Sequence, residues 1–106
     1  SGITLLMDAA RYGHERVVDL LRRHGAEINK QDGKGFTALM LAAFFNRPAV
    51  VFRLLRAGAD TAVCQAGGRT ALQIAKHKGH AECMRALEEH AAAEAAAKEA
   101  IEAAAR

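Results

Sequence analysis

The sequence predicts an all-α solenoid of stacked helix-turn-helix units that ends in one extended helix. Three observations predict it: a strict 33-residue period, two apolar helical stripes in each period, and an alanine-rich tail without a helix stop. Thr4, Thr37 and Thr70 stand 33 residues apart, as do Leu6, Leu39 and Leu72, and Ala9, Ala42 and Ala75. Gly13 returns as Gly79, His14 as His80, Leu21 as Leu54 and Leu87, and Gly25 as Gly58. A fixed period of this length marks an array in which each unit buries its apolar face on the next.

The middle copy shows the elements most plainly. Thr37 can cap a first helix through its hydroxyl, and Leu39, Ala42 and Ala43 share one face of that helix. Small alanines there let a neighbouring helix approach closely. A break is expected at Asn46-Arg47, and Pro48 then falls in the first turn of a second helix, where a missing N–H costs nothing. Val50, Val51, Leu54 and Leu55 make its buried stripe, and Gly58 stops it. Phe52 lies beside that stripe while Arg53 takes a leucine slot, which predicts a slight rotation that buries Phe52. The alternative is a second apolar patch on the convex side. The polar turn Asp32-Gly33-Lys34-Gly35 leads into the first helix.

In the third copy Ala91 replaces the stopping glycine, so the second helix is expected to run from about Ala81 almost to the end. That is roughly 35–40 Å at the α-helical rise. Alanine supplies propensity, and Glu94 with Lys98 and Glu102 with Arg106 are favourable i, i+4 pairs. The tail resembles engineered rigid helical spacers of the EAAAK type, and with the leading Ser1-Gly2, which resembles a tag-cleavage remnant, it suggests an engineered chain. Ile101 is its only large apolar residue.

The segments Asp32-Gly33-Lys34-Gly35-Phe36-Thr37-Ala38-Leu39, Gly13-His14-Glu15-Arg16-Val17-Val18, Gly25-Ala26-Glu27-Ile28-Asn29 and Gly58-Ala59-Asp60 resemble the ankyrin repeat. The usual Pro and His after the capping Thr are replaced by Ala38 and Met40 in the middle copy and by Ala71 and Gln73 in the last. The resemblance implies an ankyrin-repeat domain over 1–90, with an N-terminal cap at 3–31, an internal repeat at 32–64, a C-terminal cap at 65–90, and a continuous helical extension over 91–106. Soluble ends need polar outer faces. Asp8, Arg11, Glu15, Asp19 and Arg22 suit the first cap, and Lys76, Lys78, Glu82 and Arg85 the last.

The resemblance also implies where binding sits. In this family the turn tips and the exposed face of each first helix form a concave surface that meets partners. Carried onto this sequence, the contact slots are Arg11 and Tyr12 in the first copy. In the middle copy they are Gly33, Lys34, Phe36, Phe44 and Phe45, and in the last Ala66, Gly67, Arg69, His77 and Lys78. Three of the four phenylalanines and the only tyrosine therefore fall on the expected face, and aromatics with arginine are what interface hot spots are made of. At least two of these aromatics are expected to be exposed. Phe44 and Phe45 are adjacent on a helix, so one of them has reason to fold back into the core. The basic rim of Lys34, Arg69, His77 and Lys78 favours an acidic or C-terminal-carboxylate ligand. His14 and His80 occupy the family's Gly-His position, where the ring braces the loops.

The remaining features bound the function classes. One hundred and six residues suffice for one modest core. The longest apolar stretch, 36–45, is too short to cross a bilayer, and no basic segment precedes an apolar one at the start. Cys64 and Cys83 read as free thiols in a reducing, intracellular compartment, Cys83 buried and Cys64 in a loop. The net charge is +3, but the segment from Glu88 onward holds five glutamates against Lys98 and Arg106, so the body is basic. That tilts it toward acidic partners and falls short of a nucleic-acid footprint. His24, His77 and His90 lack partners at metal-ligand spacing, and no nucleophile triad, phosphate loop or paired-carboxylate site is visible. The surface helix lacks the apolar face that membrane binding needs. No enzyme, cofactor, nucleic-acid or membrane reading follows.

Two readings remain. The first is a protein- or peptide-binding module that uses the aromatic and basic face, on which alanine at Phe44 and Phe45 abolishes binding without unfolding. The second is a designed building block that self-assembles into a symmetric homo-oligomer through the same phenylalanines or through Phe52 and Ile101, with the long helix as a rigid arm. A methyl-lysine cage of Tyr12, Phe44 and Phe45 is a weaker third, because few carboxylates lie nearby.

Overall fold

Each copy starts where a threonine hydroxyl replaces the missing helical acceptor. The computed structural model describes residues 2–106; Ser1, half of the expected tag remnant, lies outside them. The Thr4, Thr37 and Thr70 hydroxyls accept from the amides of Met7, Met40 and Gln73 at 3.1, 3.2 and 3.3 Å. Caps of this kind contribute about 1 kcal/mol each. Six helices follow: α1 (Leu5–Arg11), α2 (Glu15–Arg23), α3 (Ala38–Phe44), α4 (Pro48–Arg56), α5 (Ala71–Lys78) and α6 (Ala81–Ala104). No strand is present among the described residues.

The helices stack in two rows. The first helices α1, α3 and α5 pack side by side, the second helices α2, α4 and α6 form the other row, and each first helix packs on its own second helix. Between the rows lie Leu6, Met7, Leu39, Met40, Val50, Val51, Leu54, Cys83 and Leu87, all 3% exposed or less. The close approach within the first row rests on Ala9, Ala10, Ala42, Ala43 and Ala75, none more than 4% exposed. The expected stripe of α4 is therefore the observed core.

The hairpin inside each copy needs one residue in the left-handed region. Gly13 (φ 75°) and Gly79 (φ 72°) fill that slot in the outer copies, and Asn46 (φ 57°) fills it in the middle. Asparagine is among the few side chains that visit this region routinely. The following slot ties neighbouring copies together. Arg47 Nε donates to the Arg11 carbonyl at 3.0 Å, and His80 Nδ1 donates to the Ala43 carbonyl at 2.8 Å. Because a carbonyl only accepts, His80 carries its proton on Nδ1. The expected brace at His14 is corrected: the ring is exposed and makes no such bond among the described residues, since the counterpart acceptors lie in the preceding copy. Arg47 stands 33 residues from both His14 and His80, so it is the middle member of this set.

Two further expectations are settled by packing. Phe52 is 53% exposed, so no rotation buries it. Val50, Val51, Leu54 and Leu55 already fill the inner face of α4, and Arg53 is held outward by an ion pair with Asp19. The third copy, by contrast, continues as expected. α6 runs unbroken for 24 residues, about 36 Å at the helical rise, and every side chain from Ala91 onward is exposed. No helix among the described residues is long and apolar enough to cross a membrane.

Candidate functional site

The tips between copies are built by side chains that reach back to their own backbone. Asp32 Oδ1 accepts from the amides of Lys34 and Phe36, both at 2.9 Å. Gln65 stands in the same slot 33 residues on, and its Oε1 accepts from the Arg69 amide at 3.1 Å. The Ala66 amide donates to the Lys34 carbonyl at 2.9 Å, and Gln31 Nε2 donates to the Cys64 carbonyl at 3.1 Å. The two tips are thus one hydrogen-bonded edge, which fixes Lys34 and Phe36 relative to Arg69.

Beside that edge the C-terminal ends of α1 and α3 present the expected aromatics, and that of α5 presents His77 and Lys78. Arg11 is the last residue of α1 and Tyr12 its C-cap, and Tyr12 is 55% exposed. Phe44 ends α3 and Phe45 caps it. The Phe36 and Phe44 ring centroids lie 6.3 Å apart, edge to face, and those of Phe44 and Phe45 lie 4.8 Å apart. Adjacent rings meet in this way because the helix ends between them, which lets both turn to one side. Phe36 and Phe44 are half-buried against the core and Phe45 is half-buried beside them, so Tyr12 alone is exposed; the expectation of two exposed aromatics is corrected to one exposed ring and a half-buried trio.

Cations sit on these rings. The Arg11 guanidinium lies 5.3 Å from the Tyr12 centroid and 4.8 Å from that of Phe45, and Lys78 Nζ lies 4.2 Å from that of Phe44. Such contacts stabilise by about 0.5–1 kcal/mol at exposed sites. The space that a methyl-lysine cage would need between Tyr12 and Phe45 is thus filled by the chain's own Arg11. Lys34, Arg69 and His77 are exposed along the same edge. Among the described residues the salt-bridge contacts are Arg53–Asp19 and, when His90 is protonated, His90–Glu94, so none of Arg11, Lys34, Arg69 and Lys78 is neutralised by a carboxylate there.

The other two predicted contact residues lie elsewhere. Phe52 stands on the second-helix row, at a groove of about 580 Å³ that Arg56, Arg85 and Glu89 also line, and Ile101 stands 70% exposed on the free part of α6. The structure does not bring them together with the aromatic cluster. This groove, lined by residues of both α4 and α6, was missed in sequence; only the packing of the two helices creates it.

The repeat register, the helix pairs and the tied tips match one family. A family model described as ankyrin repeats (3 copies) matches residues 1–63 and 39–106. The chain is an ankyrin repeat protein. Among curated proteins none matches it. Ankyrin repeats are in general protein-interaction modules rather than enzymes.

The ankyrin stack also explains its two cysteines. Cys83 is fully buried in α6, with its thiol 3.8 Å from Asn46 Oδ1, and Cys64 is exposed. Burial pushes the Cys83 thiol from 9.0 up to about 11, opposed by a hydrogen bond to the Arg47 backbone and reinforced by Glu82. The folded state therefore holds this proton more tightly than the unfolded chain. Cys83 leaves stability unchanged below about pH 9 and is expected to lower it between about pH 9 and 11, by roughly 1 kcal/mol per pH unit. Urea titrations at pH 8, 9 and 10 check this, with Cys83→Ala removing the slope above pH 9. At pH 8 a thiol reagent is expected to label Cys64 within minutes and Cys83 only on unfolding.

Proposed function

We propose that this ankyrin protein binds an acidic segment of another protein across the face formed by Arg11, Tyr12, Lys34, Phe36, Phe44, Phe45, Arg69, His77 and Lys78. One observation carries this reading: the contiguous rings of Phe45, Phe44 and Phe36, with Tyr12 joined to them through the Arg11 guanidinium, are bordered by cations that have no carboxylate partner among the described residues. A carboxylate ligand supplies what those cations lack, and its apolar neighbours cover the rings. Half-buried rings are pre-organised, so little entropy is lost when a ligand covers them.

Peptide display on the immobilised chain tests the proposal. Enriched sequences are expected to be acidic with an apolar or aromatic anchor. Arg69→Glu and Lys78→Glu are expected to weaken them by about 10-fold each, in a salt-dependent way, with the unfolding midpoint unchanged for Arg69→Glu and lowered by a few degrees for Lys78→Glu, which also loses its contact with the Phe44 ring. Tyr12→Ala is the matching aromatic probe. Phe44→Ala is a poor one, because Phe44 also packs on the core. Enrichment without an acidic bias, or affinity unmoved by either charge reversal, defeats the proposal.

A second reading, an engineered building block, is favoured by one feature: α6 extends past the stack with 91–106 wholly exposed and with Ile101 and Phe52 open to solvent. On that reading light scattering gives a mass above 11.3 kDa that drops when residues 92–106 are deleted. On the leading reading both forms are monomers, and the deletion leaves the unfolding midpoint of the stack within about 2 °C.

A further inference from the structure

The 33-residue register allows each side chain of the first copy to be compared with its counterparts in the other two. Val17 is 44% exposed, whereas Val50 and Cys83 in the same slot are 1% and 0% exposed. Leu5 is 73% exposed, whereas Ala38 and Ala71 are 1% and 2%. Leu21 is half-buried, whereas Leu54 and Leu87 are buried. Leu20 is 53% exposed, and its counterpart Arg53 reaches back to Asp19 of the preceding copy. In the second and third copies, then, this face is covered by the copy before it. In the first it is bare, and an apolar groove of about 270 Å³ opens beside Leu5 and Leu21. Of the polar residues expected to close this end, Asp19 instead faces the second copy.

The opposite end is closed. Met7, Ala10 and Val18 of the first copy, and Met40, Ala43 and Val51 of the second, are each 1% exposed or less under the copy that follows. In the third copy these slots hold Gln73 and Lys76, both exposed, and half-buried Met84. A second copy of this chain stacked head to tail would set those polar groups against Leu5 and Val17, which disfavours it as the cover. The idle His14 points the same way. Its counterparts Arg47 and His80 each donate to a carbonyl 36 or 37 residues earlier, in the preceding copy.

We propose that Leu5, Val17, Leu20 and Leu21 form a docking face for one further ankyrin repeat joined in register ahead of the first copy. That repeat presents a trailing face of the Met40, Ala43 and Val51 kind. It covers Val17 and Leu21, and it offers His14 the carbonyl that Ala43 offers His80.

The test fuses a duplicate of residues 32–66 directly ahead of Ser1, which keeps the 33-residue register, and compares its thermal unfolding with that of the chain itself. A single transition raised by about 5 °C or more is expected. Val17→Glu is expected to abolish the gain in the fusion while shifting the chain itself by no more than about 2 °C. The His14 Nδ1 proton is expected to become as slow to exchange as that of His80. A fusion that melts at or below the chain's own midpoint, or in two steps, overturns the proposal. So does a native chain that proves to be a dimer dispersed by Val17→Glu, an outcome that assigns the face to a second copy.

Discussion

Leu39→Ala is expected to cost about 3–4 kcal/mol, a large share of the roughly 5–15 kcal/mol that holds a domain of this size folded. Leu39 is 1% exposed on α3, the helix that packs on α1, α5 and α4 at once, so no neighbour can collapse into the space without leaving another. In a stack, each copy is held mainly by its neighbours, and weakening the middle one loosens both interfaces. The same change at Leu72, which is only half-buried on α5, is expected to cost about half as much. Urea unfolding followed by circular dichroism at 222 nm measures both, since the chain has no tryptophan. Equal costs at the two positions would show that the middle copy is not the keystone.

Gly35→Ala is the second large effect, expected to cost about 3 kcal/mol. Two causes add. The backbone there sits at φ 83°, where a side chain costs about 1–2 kcal/mol, and a Cβ would lie 2.9 Å from the Ala66 amide nitrogen and 3.0 Å from Gln65 Cα. Those neighbours are backbone and cannot swing aside. Gly68→Ala separates the two causes. Its φ is 81°, but nothing lies within 4 Å of the added carbon, so about 1–2 kcal/mol is expected. The difference between the two variants measures the clash alone. Because Gly35 ties the tip that carries Lys34 and Phe36, the variant is also expected to weaken peptide binding; the Gly68 variant leaves that tip untouched.

Much of this architecture is legible in one dimension because the repeat makes every position a comparison. Thr37 reads as a cap, Asn46-Arg47 as a break, Pro48 as a helix start and Gly58 as a stop, and each is found so, because capping and helix termination depend on neighbours within about four residues. The run of α6 to Ala104 follows from the same local logic, with alanine where a glycine would have stopped it. The slots of the aromatic and basic residues were legible too, through the family register.

What the sequence determined by itself is therefore the order and caps of the helices, the long run of the last one, and the residues that line the stripes of the middle copy. Tertiary packing alone decided how the side chains at the edges of those stripes are used. Phe44 and Phe45 turn to one side because the helix ends between them, Arg11 and Lys78 settle on the rings, and Phe52 stays outside because four aliphatic residues already fill the inner face. Packing also left Val17 bare while burying Val50 in the identical slot. The physical reason is the same in each case: burial is a property of the surface that arrives from another copy, and no local sequence signal reports whether that surface is there.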